Sequence, residues 1–172
     1  MILGMSIPAF TLLHVIITLI AIGSGLIVFG GMFAASRLPR TTALFLLTTI
    51  LTNVTGFLFP IHGFTPALGV GIFSCIILVV ALIAYYGKQL IGAWRWIYVV
   101  IAIVALYLNV FVLIIQSFIK VPALNALAPT QSEPPFAIAQ AAVLAIFVLI
   151  GIVALVTFRP ATPVGISGSR PL

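Results

Sequence analysis

The chain has 172 residues, of which 64% are hydrophobic and 5% are charged, with a formal net charge of +6. Because soluble domains are charged at about a quarter of their residues, this composition excludes a soluble globular protein and indicates a membrane protein. The seven cations are spread between apolar segments and form no basic patch, so they do not indicate nucleic-acid binding. No polar segment is long enough for a separate soluble domain, which predicts a single membrane domain over residues 1–172.

Five apolar segments are each close to the roughly 20 residues that a helix needs to cross the bilayer core. Proline residues stand near the starts or just beyond the ends of these segments, as is typical of helix boundaries. The sequence therefore predicts an all-α fold, an integral membrane bundle of five transmembrane helices. In chain order the predicted helices are about residues 9–33, 41–59, 67–86, 96–119 and 136–158.

The distribution of the cations predicts the orientation of the bundle. If the five helices alternate in direction, six of the seven Lys and Arg residues fall on one side of the membrane, and Glu133 offsets the one cation, Lys120, on the other. The positive-inside rule then predicts an external amino terminus and a cytoplasmic carboxyl terminus. The six cations on the predicted cytoplasmic side are Arg37, Arg40, Lys88, Arg95, Arg159 and Arg170.

In this orientation almost every unusual polar side chain belongs to the outer half of the bundle, with Asn109 near the membrane middle. Intramembrane polar side chains turn toward the bundle interior, since an unpaired polar group is costly against hydrocarbon. The candidate residues for an outward-facing binding pocket are His14, Asn53, His62, Asn109, Gln116, Lys120, Gln131, Glu133 and Gln140.

Small and hydroxyl-bearing residues recur at helical spacing from these candidate residues, so that each helix carries a polar or small-residue stripe along one face. On the first helix the stripe includes Thr11, His14 and Thr18. One interpretation is that the stripes only join the helices, because small residues allow close approach and hydroxyls and amides bond across helices. The other is that their outer ends line a pocket. The second and third helices contribute Thr49, Thr52, Asn53, Gly56, Gly71 and Ser74 to these stripes.

Residues that carry catalytic chemistry are scarce. The single cysteine, Cys75, excludes an internal disulfide and a cysteine-based metal cage. Two histidines and one glutamate make a weak metal set, and no serine lies in a nucleophile elbow. Neither a catalytic residue nor a metal site is predicted. His14 and His62 could together ligate one haem b, which stays open as an alternative.

Glu133 precedes Pro134, which favours an extended backbone at Glu133 of the kind that an N-cap residue adopts. We therefore predict that Glu133 begins the last helix at the outer surface, where its carboxylate favours the positive end of the helix and could pair with Lys120. The alternative is a functional carboxylate at the mouth of the pocket.

Two stretches resemble segments of small multi-pass bacterial inner-membrane proteins that have no assigned activity. They are ALYLNVFVLIIQSFIKVPALNALAPTQSEPPFAIAQ, from Ala105 to Gln140, and TNVTGFLFP, from Thr52 to Pro60. The resemblance covers roughly a third of the chain and implies a multi-pass protein of the bacterial inner membrane. It carries no catalytic residues.

These observations favour a non-enzymatic membrane protein, an accessory or oligomer-forming subunit with an outward-facing pocket for a lipid, a quinone or another apolar ligand. No cofactor is expected. The expected partners are membrane lipids and either further copies of the chain or the other subunits of a membrane complex. Two alternatives remain open: a redox or haem-binding subunit that uses His14 and His62, and a small channel or carrier.

Overall fold

Six α-helices account for most of the chain. The computed structural model describes residues 1–60, 63 and 66–160, and these residues contain no β-strand. The all-helical fold is therefore confirmed for the described residues. The helices are α1 (Ile7–Phe33), α2 (Pro39–Phe57), α3 (Pro66–Leu82), which continues as a π-helical turn (Ile83–Gly87), α4 (Ala93–Lys120), α5 (Pro122–Leu127) and α6 (Pro134–Thr157).

Local sequence explains where the helices begin. Ser6 precedes α1 in an extended conformation, and its hydroxyl accepts a hydrogen bond from the N–H of Ala9 at 3.4 Å. Proline occupies the first turn of α2, α5 and α6, where a missing N–H costs nothing. Glu133 stands at the N-cap of α6 with φ −76° and ψ 153°, as Pro134 predicts. The short helix α5 lies in what the sequence indicated only as a connection.

Four helical segments are long and apolar enough to cross a membrane: α1, Leu68–Gly87, α4 and α6, with mean hydropathy between 2.5 and 2.8. The fifth, α2, has 19 residues, of which six are threonine, and is less apolar. At 1.5 Å per residue it is about 28 Å long, close to the thickness of the hydrocarbon core. Several of its threonine hydroxyls donate to carbonyl groups of the preceding turn, so their polarity is satisfied within the helix.

The helix α4 occupies the centre of the bundle, where it packs against α1, α3 and α6, while α1 packs mainly along α2. The buried face of α4 includes Ala102 and Ala105, which are small enough to let the neighbouring helices approach. Close approach is also evident at Gly25 on α1. A methyl group there would lie 2.8 Å from Leu106 Cδ1 and 2.9 Å from Phe45 Cε2, so only glycine fits without a shift.

Contacts near the helix ends show that the main helices alternate in direction. The guanidinium group of Arg95, near the start of α4, donates to the carbonyl group of Phe158 just after α6. Arg37, which follows α1, donates to the carbonyl group of Gln89, which follows the π-helical turn. We call this the basic end of the bundle, and we call the opposite end, where α1 begins and α4 ends, the amino-terminal end.

Candidate functional site

A cavity of about 750 Å³ lies between α1, α2, α3 and α4 in the half of the bundle toward the amino-terminal end. Small-molecule sites typically have volumes of about 300–1,000 Å³, so the space suits a ligand of moderate size. Most of the lining is apolar, and a minority of polar side chains interrupt it. Five of the predicted site residues line this cavity: His14, Asn53, Asn109, Gln116 and Lys120.

His14 is held by a hydrogen bond between helices. Its Nδ1 lies 2.7 Å from the Oγ1 of Thr55 on α2, and its ring packs edge-on against Phe59 with 5.4 Å between centroids. Gly56 borders this ring, and a methyl group at that position would make ordinary van der Waals contact with it, 3.7 Å from His14 Cε1. One ring nitrogen is thus engaged by the protein, while Nε2 makes no hydrogen bond within the described residues.

Two asparagines form the polar centre of the cavity wall. The Asn53 amide donates to the carbonyl group of Thr49 at 2.8 Å and to the Oγ of Ser74 at 3.0 Å, which joins α2 to α3. The Asn109 amide donates to the Oγ1 of Thr49 at 3.3 Å, which joins α2 to α4. Asn109 is 6% exposed. Thr49 therefore anchors both asparagines, which fixes their positions relative to each other.

Hydroxyl groups extend the polar surface along α1 and α2. Thr18 Oγ1 donates to the carbonyl group of His14 at 2.9 Å and lies 3.3 Å from the Oγ1 of Thr52. Thr52 Oγ1 in turn donates to the carbonyl group of Thr48 at 2.9 Å. Thr18 and Thr52 both line the cavity. Because their protons are used within the helices, these hydroxyls present mainly acceptor lone pairs to the cavity.

The last turn of α4 contributes a polar rim with a positive charge. Gln116 and Lys120 are exposed, line the cavity and make no hydrogen bond or ion pair within the described residues. An ammonium group at the end of a helix also interacts favourably with the helix dipole. The cavity thus combines apolar walls, amide and imidazole groups inside, and a cation near the end of α4.

The remaining predicted residues lie elsewhere. Gln140 is on α6, does not line the cavity, and donates to the carbonyl group of Phe111 on α4 at 3.2 Å. Its Oε1 is buried and has no hydrogen-bond partner among the described residues. Gln131 lies in the connection before α6, where its backbone has a positive φ of 60°. His62 falls outside the described residues.

Glu133 does not line the cavity either, and within the described residues it forms no ion pair with Lys120. Its carboxylate accepts hydrogen bonds from the N–H and hydroxyl groups of Thr130 and from the N–H of Ser132, at 2.9 to 3.1 Å. Desolvation acts to raise the pKa of Glu133, but the hydrogen bonds together outweigh it and hold the pKa below its ordinary value. Glu133 thus organises its own turn.

Sequence reasoning did not identify the apolar residues of the cavity wall, or Ser117, as part of the candidate site. The helical period provides a signal for some of them, because Val112 and Leu113 share a face of α4 with Asn109 and Gln116. The position of the Phe57 ring depends on Gly71. A methyl group at Gly71 would lie 2.9 Å from this ring, so the glycine allows the ring to pack against α3.

Metal ligands are not clustered in the described residues: no group of three or more His, Cys, Asp or Glu side chains comes together there. Comparison with known proteins identifies no relative, since no protein-family model, curated protein or solved structure is significantly similar to this chain. The cavity and its polar groups are therefore the basis on which a function can be argued.

Proposed function

We propose that this protein is a membrane-embedded binding subunit for a molecule with an apolar body and a small polar head, such as a quinone or a lipid. The observation that carries this function is the cavity of about 750 Å³, in which His14, Asn53 and Asn109 interrupt an apolar wall. Ligand sites of this kind fix the ligand through a few polar groups and obtain most of their affinity from apolar contacts.

As such a binding subunit, the chain crosses the bacterial inner membrane five times. Its amino terminus is outside, and its cavity opens toward the outer leaflet. The distribution of cations supports the orientation, because Arg37, Arg95 and Arg159 lie at the basic end while Lys120 lies at the other. A ligand of the lipid phase can then enter from the bilayer, and the protein acts as an accessory subunit or as an oligomer without catalysing a reaction itself.

A cavity-filling substitution tests this function. Purified protein is expected to bind a benzoquinone that carries a decyl tail, and the Val112→Trp substitution is expected to weaken this binding by about tenfold or more, because an indole at this position occupies the space of the ligand. Isothermal titration calorimetry in detergent measures the affinity. The matched control is Val148→Trp, which changes an exposed valine in the groove between α4 and α6.

The control protein is expected to bind like the unchanged chain. Equal affinity of all three proteins, or no binding by any of them, would contradict a ligand site in the cavity.

A haem-binding subunit is the second candidate, because a histidine that binds a metal through one nitrogen usually has the other fixed by a hydrogen bond, as Thr55 fixes His14 Nδ1. An absorption band of haem in the purified protein that disappears in His14→Ala would favour this candidate instead.

A further inference from the structure

The hydrogen bonds around Thr55 determine which nitrogen of His14 carries the proton. The Oγ1 of Thr55 lies 2.7 Å from the carbonyl oxygen of Leu51 and 2.7 Å from His14 Nδ1. A hydroxyl group has one proton and a carbonyl oxygen only accepts, so the Thr55 proton is directed to the backbone. His14 Nδ1 must then be the donor in its bond to Thr55, which assigns the tautomer from the network.

The other nitrogen follows from the charge state of the ring. A charged imidazole within a membrane bundle is costly unless an anion pairs with it, and no carboxylate is among the described residues that line the cavity. A neutral imidazole has a single N–H, which is on Nδ1 here. Nε2 therefore carries a lone pair and no proton, and it makes no hydrogen bond within the described residues. His14 can offer a ligand only an acceptor.

Ser74 on α3 and the rim residues Gln116 and Lys120 keep protons that a ligand can accept, so the preference applies to a head group next to His14. The threonines and Asn53 do not oppose it there. The hydroxyl protons of Thr18 and Thr52 are used in bonds to backbone carbonyl groups, and both amide protons of Asn53 are used in bonds to Thr49 and Ser74. Asn109 can still both donate and accept, because one of its amide protons and its carbonyl oxygen make no hydrogen bond within the described residues. A head group that lies between His14 and Asn109 is therefore recognised best when it carries a hydroxyl.

We propose that the cavity selects ligands whose head group donates a hydroxyl proton to His14 Nε2, as a phenol or a quinol does, over otherwise similar ligands that can only accept. This selection rests on the proposed function, since it names the chemical class of ligand for the same cavity. A quinone or an ether at this position leaves the lone pair of Nε2 unpaired in a desolvated site, and an unsatisfied buried acceptor costs affinity. For a redox-active ligand, the reduced form binds more tightly than the oxidised form.

Two probes that differ only at the head group test the selection: 4-nonylphenol and 4-nonylanisole. The unchanged protein is expected to bind the phenol about tenfold more tightly than the anisole. Thr55→Val retains the shape of the side chain but removes the acceptor for His14 Nδ1–H, so the tautomer is no longer fixed and the ratio is expected to fall to about twofold or less. Thr48→Val is the matched control, because Thr48 lies on the same helix, bonds only to the backbone and does not line the cavity.

His14→Phe provides a second variant, in which the phenol preference is expected to disappear while anisole still binds. Anisole affinity that is the same in all the variants shows that they are folded and that only the recognition of the hydroxyl has changed. Equal binding of the two probes to the unchanged protein, or a preference that persists in both Thr55→Val and His14→Phe, would overturn the selection and leave the binding function intact. Failure of the unchanged protein to bind either probe would overturn both.

Discussion

A cysteine placed at Ser132 is expected to react with a membrane-impermeant maleimide in intact spheroplasts, whereas a cysteine placed at Ser36 is expected to react only after permeabilisation. Both serines are exposed, and both changes replace one oxygen atom by sulfur. The background is Cys75→Ala, which removes the single native cysteine. The expected difference is all or none, because in the proposed orientation one reactive group faces the outside and the other faces the cytoplasm.

This pair of positions also tests whether α2 crosses the membrane. Three main helices, α2, α3 and α4, separate Ser36 from Ser132. With α3 and α4 crossing, the two residues lie on opposite sides only if α2 crosses as well. If α2 lay on one surface, two crossings would remain and both cysteines would show the same accessibility. Labelling of Ser36→Cys alone in intact spheroplasts would instead show that the orientation is the reverse of the proposed one, with the cavity open toward the cytoplasm. Ser6→Cys, before α1, serves as a control and should react like Ser132→Cys.

The sequence predicted the long helices well, because apolar runs and the prolines near their boundaries determine these helices locally. Pro39, Pro66 and Pro134 each lie at the first turn of a helix, where the proline ring suits the helical backbone. The six-residue helix Pro122–Leu127 was missed, since a run that short has no hydropathy signal. The π-helical turn at Ile83–Gly87 was missed because it continues α3 without any change in composition.

The candidate site could be predicted only in part, for a reason of packing. The period of the helix indicates which side chains face the bundle, and this was sufficient for His14, Asn53 and Asn109. It does not indicate whether the facing side chains fill the space between four helices, because that depends on their summed volume and on helix rotation. Gln140 illustrates the limit: it faces α4 as a bundle-facing residue should, but α6 packs on a side of α4 that does not border the cavity.

Glu133 shows how local chemistry can redirect a predicted contact. Its position at the N-cap of α6 follows from the prolines, but a capping side chain normally bonds the N–H of the second or third helical residue. Pro135 has no N–H, and the N–H of Phe136 is bonded to the backbone carbonyl group of Glu133. The carboxylate therefore turns back to Thr130 and Ser132, which are near in sequence, and not to Lys120.

Phe45→Ala is expected to lower the free energy of unfolding by about 3 kcal/mol, the lower end of the range for removing a buried phenylalanine. Phe45 is 0% exposed and lies where α1, α2 and α4 meet, against Gly25 and close to Leu106. Between helices in a membrane the loss comes from missing van der Waals contacts and not from water, because lipid is as apolar as the side chain. Denaturation in mixed micelles with SDS measures the change.

Phe73→Ala is the matched control, since Phe73 is 49% exposed on α3 and truncation there should change the free energy of unfolding by less than about 0.5 kcal/mol. Equal losses in the two variants would contradict the packing at Gly25. The Phe45 variant should also bind ligand less tightly, because Phe45 lies one helical turn from Thr49, to which Asn53 and Asn109 both donate. A loss of stability at Phe45 without any loss of affinity would show that these asparagines keep their positions when the helix contact beneath them is weakened.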